Sequence, residues 1–328
     1  MAIAPAFRDG RVVTGAAAQP VLVIAGPTAS GKSGLAVAIA ERLDGTVINA
    51  DALQLYRELE ILTARPDPAA LARAPHRLYG MLAADDACSA ARWRALALET
   101  IAAVAPRLPI LVGGTGLYLR ALLRGLAPLP AVPASVRAAA TARRAALGPA
   151  AFHREVATRD PATAARLPVG DRQRLIRAWE IFEATGRPWS AWLAEPDEPP
   201  PAGLRFAVMV VAPPRVELYR AIDRRLLDMV ARGALDEVRA VMDRDPALPI
   251  HKALGLRELA RHLRGETPLD AALATAQQAT RNYAKRQMTW LRHQLPEASW
   301  FDAQYSNLLS PEIFSFIRKW VDGPPDSL

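Results

Sequence analysis

The sequence predicts an α/β fold in which a parallel sheet core carries an inserted all-helical domain. Short apolar runs at 21–26, 46–51 and 108–113 each end in glycine or a polar residue, and helix-length segments separate them. This order is typical of parallel strands linked by helices, whose polar residues gather at the carboxyl ends of the strands. A fourth run follows only at 204–212, and residues 134–190 show helical periodicity without a convincing strand. We therefore expect this long interval to form a helical insertion.

Proline clusters mark the expected limits of the insertion. Several prolines between 128 and 133 precede the helical interval, and a second cluster between 196 and 201 follows it. We predict a core made of residues 21–127 and 204–328, interrupted by a helical domain at 128–203.

The composition of the 328 residues is that of a globular protein, since 51% are hydrophobic and 23% are charged. No apolar run approaches the ~18 residues that a membrane-spanning helix needs. Residues 1–20 contain charges and no long apolar stretch, so we expect a disordered leader and no secretory signal. The single cysteine, Cys88, excludes an intrachain disulfide and a cysteine-based zinc site, and it favours the reducing cytoplasm. The net charge of +8 makes a nucleic acid a candidate partner.

A phosphate-binding loop follows the first apolar run. Residues 26–33 match the pattern G-x-x-x-x-G-K-[ST] between a predicted strand and a predicted helix, which makes the core a P-loop NTPase-like sheet. The backbone N–H groups of such a loop surround a phosphate, Lys32 adds a positive charge, and Ser33 can reach a Mg²⁺ ion held by the phosphates. The candidate phosphate-binding residues are Gly26, Pro27, Thr28, Ala29, Ser30, Gly31, Lys32 and Ser33. We expect a diphosphate or triphosphate to bind here.

The ends of the next two runs carry a candidate base and a candidate hydroxyl donor. Asp51 ends the second run, and Thr115 follows the Gly113-Gly114 pair after the third. In P-loop kinases and ATPases a later strand ends in an acid that helps to hold Mg²⁺, whereas here the strand runs into glycine. The pattern favours a reaction other than metal-driven phosphoryl transfer. A P-loop kinase acting on a small molecule or a polynucleotide is the alternative enzyme, and an RNA-binding module with a nucleotide switch is the non-enzymatic one.

Seven sequence blocks in the same order resemble the tRNA dimethylallyltransferase (isopentenyl-tRNA transferase) family. The blocks are GPTASGKS at 26–33, NADALQLYR at 49–57, TARP at 63–66, PHRLYG at 75–80, LVGGTGLYLRALLRGL at 111–126, DRQRLIRAWEIFEATGRP at 171–188 and KRQMTWLR at 285–292. The resemblance implies transfer of a dimethylallyl group from dimethylallyl diphosphate to the exocyclic amine of the adenine 3′ of the tRNA anticodon. It also implies Mg²⁺ as cofactor, a cytoplasmic monomer, and a helical insertion that grips the anticodon stem-loop.

The resemblance assigns catalytic roles that make chemical sense, because an exocyclic amine is a weak nucleophile and needs a base and a stabilised leaving group. Asp51 would take the amine proton, and Thr115 would donate a hydrogen bond to the bridging oxygen of the diphosphate. Lys32, Ser33 and Arg225 would neutralise the departing diphosphate. Ala221 stands one turn before Arg225, where the family commonly has a second arginine.

The resemblance also implies contacts with the tRNA. The residues concerned are Asp51, Ala52, Leu53, Gln54, Thr115, Arg137, Gln173, Arg174, Leu175, Ile176, Arg177, Lys252, Arg257, Lys285, Arg286 and Arg292. The amide of Gln54 could bind an adenine edge through two hydrogen bonds. Ala52 replaces the serine that the family usually has after the acid, and Leu256 replaces a usual tyrosine.

A helix predicted over the last of these blocks separates basic from aromatic positions. At ~100° per residue, Arg281, Lys285 and Arg292 share one side. The opposite side carries Tyr283, Gln287 and Trp290. We expect the basic side to track RNA phosphates and the opposite side to pack on the core.

Overall fold

The structure is a computed structural model that describes residues 18–197, 199, 201–302 and 311–322. Most of the predicted leader lies outside these ranges. Its last two residues, Gln19 and Pro20, are in the sheet, where they pair with Leu204 and Arg205. The core therefore begins two residues earlier than the sequence predicted.

The core sheet is parallel throughout its described strands. The strands are β1 (Gln19–Ala25), β2 (Gly45–Asn49), β3 (His76–Arg77), β4 (Leu108–Gly113), β5 (Leu204–Val211) and β6 (Ser299–Phe301). Their order across the sheet is β3-β2-β4-β1-β5-β6. The four predicted runs correspond to β1, β2, β4 and β5, which read as apolar runs because helices cover both faces of a parallel sheet. β3 and β6 are two and three residues long and have no such run.

Helices connect the strands and form the insertion. In chain order they are α1 (Lys32–Arg42), α2 (Pro68–Arg73), α3 (Ala90–Ala103), α4 (Gly116–Arg124), α5 (Ala134–Arg159), α6 (Pro161–Arg166), α7 (Arg172–Thr185), α8 (Trp189–Leu193), α9 (Arg215–Ala231), α10 (Ala234–Val241), α11 (Leu256–Leu263), α12 (Leu269–Gln294) and α13 (Pro311–Asp322). A short 3-10 helix, Pro249–Lys252, precedes α11. None of the helices in the described ranges is long and apolar enough to cross a lipid bilayer.

The chain divides into two compact units, one of them the segment Arg124–Pro200. This segment begins four residues before the predicted insertion, 128–203, and ends three residues before it does. The larger unit holds the sheet and the remaining described helices.

The two faces of the sheet pack into separate apolar clusters. Val21 and Val23 of β1 point into one cluster with Trp93 of α3, whereas Leu22 and Ile24 point into the other with Leu35 and Ile39 of α1. This alternation follows from the period of two in a strand. The covered sheet leaves the carboxyl ends of its strands as the rigid edge on which polar loops are carried.

The helical unit has an apolar core of its own. Phe152 and Val156 of α5 pack against Leu175 and Trp179 of α7. The helix α5 is broken at Gly148, whose φ of 75° lies in the left-handed region that glycine adopts readily. A buried carboxylate, that of Asp160, accepts hydrogen bonds from the N–H groups of Thr163 and Ser190 and thereby joins the starts of α6 and α8.

Candidate active site

Three polar loops meet at the carboxyl edge of the sheet. The register pairs Ala25 of β1 with Gly113 of β4, and Val112 of β4 with Asn49 of β2. The phosphate-binding loop after β1, the loop after β2 and the loop after β4 therefore start side by side. The structure brings together the predicted phosphate-binding residues, Asp51 and Thr115, as expected for loops at one edge of a parallel sheet.

The phosphate-binding loop has the backbone that anion binding requires. Ala29 and Gly31 have φ values of 64° and 88°, so the chain curls and turns successive N–H groups towards one point before α1 begins at Lys32. The ammonium group of Lys32 donates to the carbonyl oxygen of Pro27 at 3.0 Å. Ser30 is fully buried, its N–H donates to the carbonyl oxygen of Pro27 at 3.3 Å, and its hydroxyl has no partner within the described residues.

Two side chains from helices late in the chain form hydrogen bonds with this loop. The amide oxygen of Gln287, on α12, accepts from the N–H of Thr28 at 2.8 Å, and its amide nitrogen donates to the carbonyl oxygen of Gly114 at 2.9 Å. The guanidinium group of Arg225, on α9, donates to the hydroxyl of Thr28. Gln287 thus ties the loop after β1 to the loop after β4, and Arg225 lies at the loop as the sequence predicted.

The glycines after β4 are required by close packing. A Cβ atom added to Gly113 would lie 2.1 Å from the carbonyl oxygen of Ala50, and one added to Gly114 would lie 2.2 Å from the amide nitrogen of Gln287. A Cβ atom on Gly116 would lie 2.4 Å from the indole of Trp290. The side of α12 that carries Gln287 and Trp290 packs on the core, and that part of the prediction is confirmed.

Asp51 is held in a hydrogen-bonded turn. The side chain of Asn49 accepts from the N–H of Asp51 at 2.8 Å and donates to its carbonyl oxygen at 3.0 Å. One carboxylate oxygen of Asp51 accepts from the N–H of Leu53 at 3.0 Å. The N–H of Ala52 donates to the hydroxyl oxygen of Thr115 at 3.0 Å, which links the two predicted catalytic residues through one peptide.

The electrostatics of this edge centre on Asp51. Burial lowers the pKa of Lys32 to about 8, with Asp51 opposing the shift and Arg225 adding to it. Burial also lowers the pKa of Arg225, and here too the charge of Asp51 acts in the opposite direction. Two partly buried cations therefore lie near one carboxylate, which leaves a net positive charge suited to a strongly charged anion.

Three tyrosines lie within electrostatic reach of the same carboxylate. Burial, with a smaller contribution from the negative charge of Asp51, raises the pKa of Tyr283 to about 12. The pKa values of Tyr79 and Tyr118 are raised by burial first, with a contribution from Asp51 in each case. These phenols therefore stay neutral at physiological pH.

The position of Gln54 corrects one expectation. Its amide nitrogen donates to the carbonyl oxygens of Thr63 at 2.9 Å and Ala64 at 3.1 Å. Both N–H donors of the amide are therefore engaged within the protein. The predicted two-bond contact with an adenine edge is wrong for this arrangement, since only the amide oxygen can face a base without breaking these bonds.

The basic residues of the sheet unit that were predicted to bind tRNA lie on its surface, whereas the other predicted residues, 51–54 and Thr115, are partly buried. Lys252, Arg257, Lys285, Arg286 and Arg292 are all exposed. Arg281 differs from them, because it donates to both carboxylate oxygens of Asp223 on α9, at 2.7 and 2.8 Å. The basic side of α12 therefore offers its exposed cations mainly beyond residue 284.

In the helical unit, some of the predicted tRNA-binding residues are exposed and others are paired with a buried carboxylate. Arg174 has a side-chain exposure of 66%, whereas Arg177 is 28% exposed and donates to the carboxylate of Glu180, which is only 3% exposed. Arg137 approaches the same carboxylate at 3.3 Å. Gln173 is exposed beside Arg174.

Two predicted contacts on this helix conflict with packing. The side chain of Leu175 is fully buried in the core of the helical unit, so the prediction that it contacts tRNA is wrong. Ile176 is partly buried against the same core. Helical periodicity turns these positions inwards while Arg174 points outwards.

The donor set for a metal at this site is small. Within the described ranges no three histidine, cysteine or acidic side chains are grouped as a metal site would need. The hydroxyl of Ser33, exposed at the start of α1, is an oxygen ligand of the type that Mg²⁺ prefers. This fits a metal ion that takes most of its ligands from phosphate oxygens and water.

Sequence reasoning missed several residues that shape the site. The sequence placed Gln287 only on a packing face, and it singled out neither Asn49 nor Tyr79. Their roles depend on partners far along the chain, as in the 259-residue separation of Thr28 and Gln287. Asn49 is the exception, since an amide two residues before an acid is a recognisable local turn signal.

Comparison with known proteins gives a consistent family. A family model described as IPP transferase matches residues 54–294, and one described as isopentenyl transferase matches residues 19–84. The tRNA dimethylallyltransferase of Rhodospirillum centenum is 58% identical over 87% of this chain and 92% of its own length. That of Paramagnetospirillum magneticum is 53% identical over 92% of this chain and 96% of its own.

Solved structures agree with this result. The full-length tRNA isopentenylpyrophosphate transferase of Bacillus halodurans superposes with a TM-score of 0.64 at 31% identity, covering 93% of this chain and 97% of that one. A eukaryotic dimethylallyltransferase acting on tRNA has a TM-score of 0.78 at 23% identity, covering 94% of this chain and 81% of that one, and supports the fold. The chain belongs to the tRNA dimethylallyltransferase family.

Proposed function

We propose that this protein transfers a dimethylallyl group from dimethylallyl diphosphate to the exocyclic amine of the adenine 3′ of the anticodon in tRNA. The products are isopentenyl-adenosine in the tRNA and free diphosphate. The observation that carries the proposal is the arrangement at one edge of the sheet: Arg225 contacts the phosphate-binding loop at Thr28, and the N–H of Ala52, next to Asp51, donates to the hydroxyl of Thr115. The names of the relatives support the same substrates.

The nucleophile must be brought out of the base stack and deprotonated as it reacts. The amine nitrogen attacks the first carbon of the dimethylallyl group, so that a C–N bond forms while the C–O bond to the diphosphate breaks. The amine proton passes to the carboxylate of Asp51. The carboxylate accepts a hydrogen bond from the N–H of Leu53, and the side chain of Asn49 binds the backbone N–H and carbonyl oxygen of Asp51, so the base is held in a fixed orientation.

The leaving group takes the electron pair of the broken C–O bond and gains negative charge. Lys32 and Arg225 lie where this charge develops, and the hydroxyl of Thr115 can donate to the bridging oxygen while it accepts from the N–H of Ala52. Preorganised donors of this kind lower the barrier because they need no rearrangement during the reaction.

We propose Mg²⁺ as the metal, with Ser33 as its protein ligand. When bound, the ion would neutralise charge on the diphosphate oxygens.

The kinase alternative fits this site less well. β4 ends in Gly113, whose Cβ position is filled by the backbone of Ala50, so no acid can stand there to hold Mg²⁺ for phosphoryl transfer. We further propose a monomer that works in the cytoplasm. Cys88 is a free cysteine, as expected for a reducing compartment.

Replacement of Asp51 tests the reaction. We expect Asp51→Asn to lower the turnover number by about 10²- to 10⁴-fold, because the general base is lost while its shape is kept. Labelled dimethylallyl diphosphate and unmodified tRNA provide the assay, and filter binding provides the tRNA affinity, which should change little.

Asp44→Asn is the matched control, since Asp44 is an exposed acid of the same unit that pairs with Arg107. Full activity of Asp51→Asn would remove Asp51 from the mechanism. Label transferred from ATP, with none from the isoprenoid, would instead establish the kinase.

A further inference from the structure

An internal carboxylate occupies an anion-binding turn beside the candidate active site. Glu237, on α10, accepts hydrogen bonds from the backbone N–H groups of three consecutive residues. One oxygen binds the N–H groups of Glu60 and Ile61, the latter at 2.8 Å, and the other oxygen binds that of Leu62 at 2.8 Å. Successive N–H groups that point to one centre normally bind an anion from solution. Here a side chain 175 residues away from Leu62 fills that place.

The same turn holds Gln54. The carbonyl oxygens that accept from its amide nitrogen belong to Thr63 and Ala64, the two residues that follow the Glu237-bound segment. The N–H of Ala64 donates back to the carbonyl oxygen of Ile61 at 2.9 Å. Ala64 has a φ of 56°, a left-handed conformation that a non-glycine residue keeps only when its surroundings enforce it. The position of Gln54 is therefore set by a turn whose own shape depends on Glu237.

We propose that Glu237 is a positioning residue that fixes the amide of Gln54 for recognition of the target adenine, which rests on the proposed function. Because both N–H donors of Gln54 are engaged, the amide cannot flip, and its oxygen is presented as a hydrogen-bond acceptor. An acceptor suits the exocyclic amine of adenine, which is a donor. A base with a carbonyl oxygen at that position offers no hydrogen to this acceptor and is disfavoured.

The packing of α10 separates this role from general stability. Ala234, Val238 and Val241 are buried in the main core and hold the helix there without Glu237. Leu59 and Leu62 anchor the two ends of the turn in the same core. Apolar contacts therefore hold this segment in the core, and the carboxylate of Glu237 determines the conformation of its backbone.

The test is Glu237→Gln. A glutamine offers one acceptor oxygen, and its amide nitrogen would face the N–H of Leu62, so the turn loses its charge-assisted hydrogen bonds. We expect kcat/KM for tRNA to fall about tenfold or more. KM for dimethylallyl diphosphate should stay within about twofold, because the phosphate-binding loop is untouched.

Val238→Ala is the matched control, since it weakens the packing of the same helix and leaves Glu237 in place. When its thermal stability is equal to that of Glu237→Gln, the control should keep the wild-type kcat/KM for tRNA. Equal losses in both variants would overturn the proposal and leave only a structural role for Glu237.

A double-mutant cycle with Gln54→Ala gives the second measurement. If Glu237 acts through Gln54, the double variant should be no worse than Gln54→Ala alone, whereas independent effects would multiply. Multiplying effects would overturn the proposal. Failure of the wild-type protein to modify tRNA at all would instead refute the proposed function.

Discussion

Lys32 has a charge that changes with pH close to the physiological range. Its pKa of about 8 is lower than the usual value of 10.5 because burial disfavours the ammonium form. The free protein therefore carries a positive charge under the phosphate-binding loop well below pH 8 and loses it as the pH rises through about 8. A bound diphosphate favours the ammonium form and raises the pKa again.

We therefore expect the affinity for inorganic diphosphate to fall as the pH rises above about 8, with uptake of a proton on binding. Isothermal titration calorimetry at pH 8.5 in two buffers of different ionisation enthalpy measures this uptake. In Lys32→Arg the charge persists over the whole range, so the proton uptake should disappear. Uptake that persists in that variant would assign the titration to another group.

The sequence predicts individual residues that belong to a recognisable motif. It does not predict the residues whose side chains bind and position the loops that carry those motifs. Lys32 and Asp51 are recognisable because the chemistry needs those side chains at fixed places after a strand. Glu237 and Gln287 act on backbone groups, and any chain segment offers N–H and carbonyl groups. Their roles therefore follow from three-dimensional proximity, which the sequence does not display.

Among the elements, α7 shows how one helix divides its arginines between structure and surface. Arg174 points into solvent, while Arg177 shares the buried carboxylate of Glu180 with Arg137. An arginine that satisfies a buried carboxylate cannot be removed without a cost in folding, because the remaining charge stays in a poorly solvated place.

We expect Arg174→Gln to weaken tRNA binding and to reduce the slope of log affinity against log salt by up to about one unit, with unchanged stability. Arg177→Gln should lower the free energy of unfolding by about 1–2 kcal/mol, since Arg137 still pairs with Glu180. Binding measured over a salt series and urea unfolding separate the two. Equal free energies of unfolding for the two variants would show that the buried carboxylate of Glu180 does not need Arg177 for the stability of the fold.

The strands differ in how well the sequence predicts them. β4 has the predicted bounds, because six buried residues in a row form an unbroken apolar run. β3 and β6 are defined by pairing with β2 and β5, and such short segments carry no periodicity that could be read in advance. The reversal of chain order, with β4 between β1 and β2, likewise results from long-range packing.

On the scale of the whole molecule, the two units have separate apolar cores, and the phosphate-binding residues belong to one of them. A ligand that binds only the native state stabilises the structure that forms its site. The positive charge is divided between the two units, since exposed arginines and lysines occur on α12 and on α7.

Inorganic diphosphate should therefore slow hydrogen exchange in β1, α1 and the loop after β4, and leave exchange in α5 and α7 unchanged. Mass spectrometry of exchanged peptides provides the measurement, and Lys32→Met, which lacks the ammonium group, provides the control. Protection of α7 by diphosphate alone would mean that the two units respond as one body.

The link between Thr28 and Gln287 has a consequence for biosynthesis. A nascent chain that has emerged as far as β5 contains the whole phosphate-binding loop and Asp51, yet it lacks the amide that joins this loop to Gly114. That amide leaves the ribosome 259 residues after Thr28. The order of translation thus delays this link until α12 has been made, so the phosphate-binding loop takes its final shape only late in synthesis.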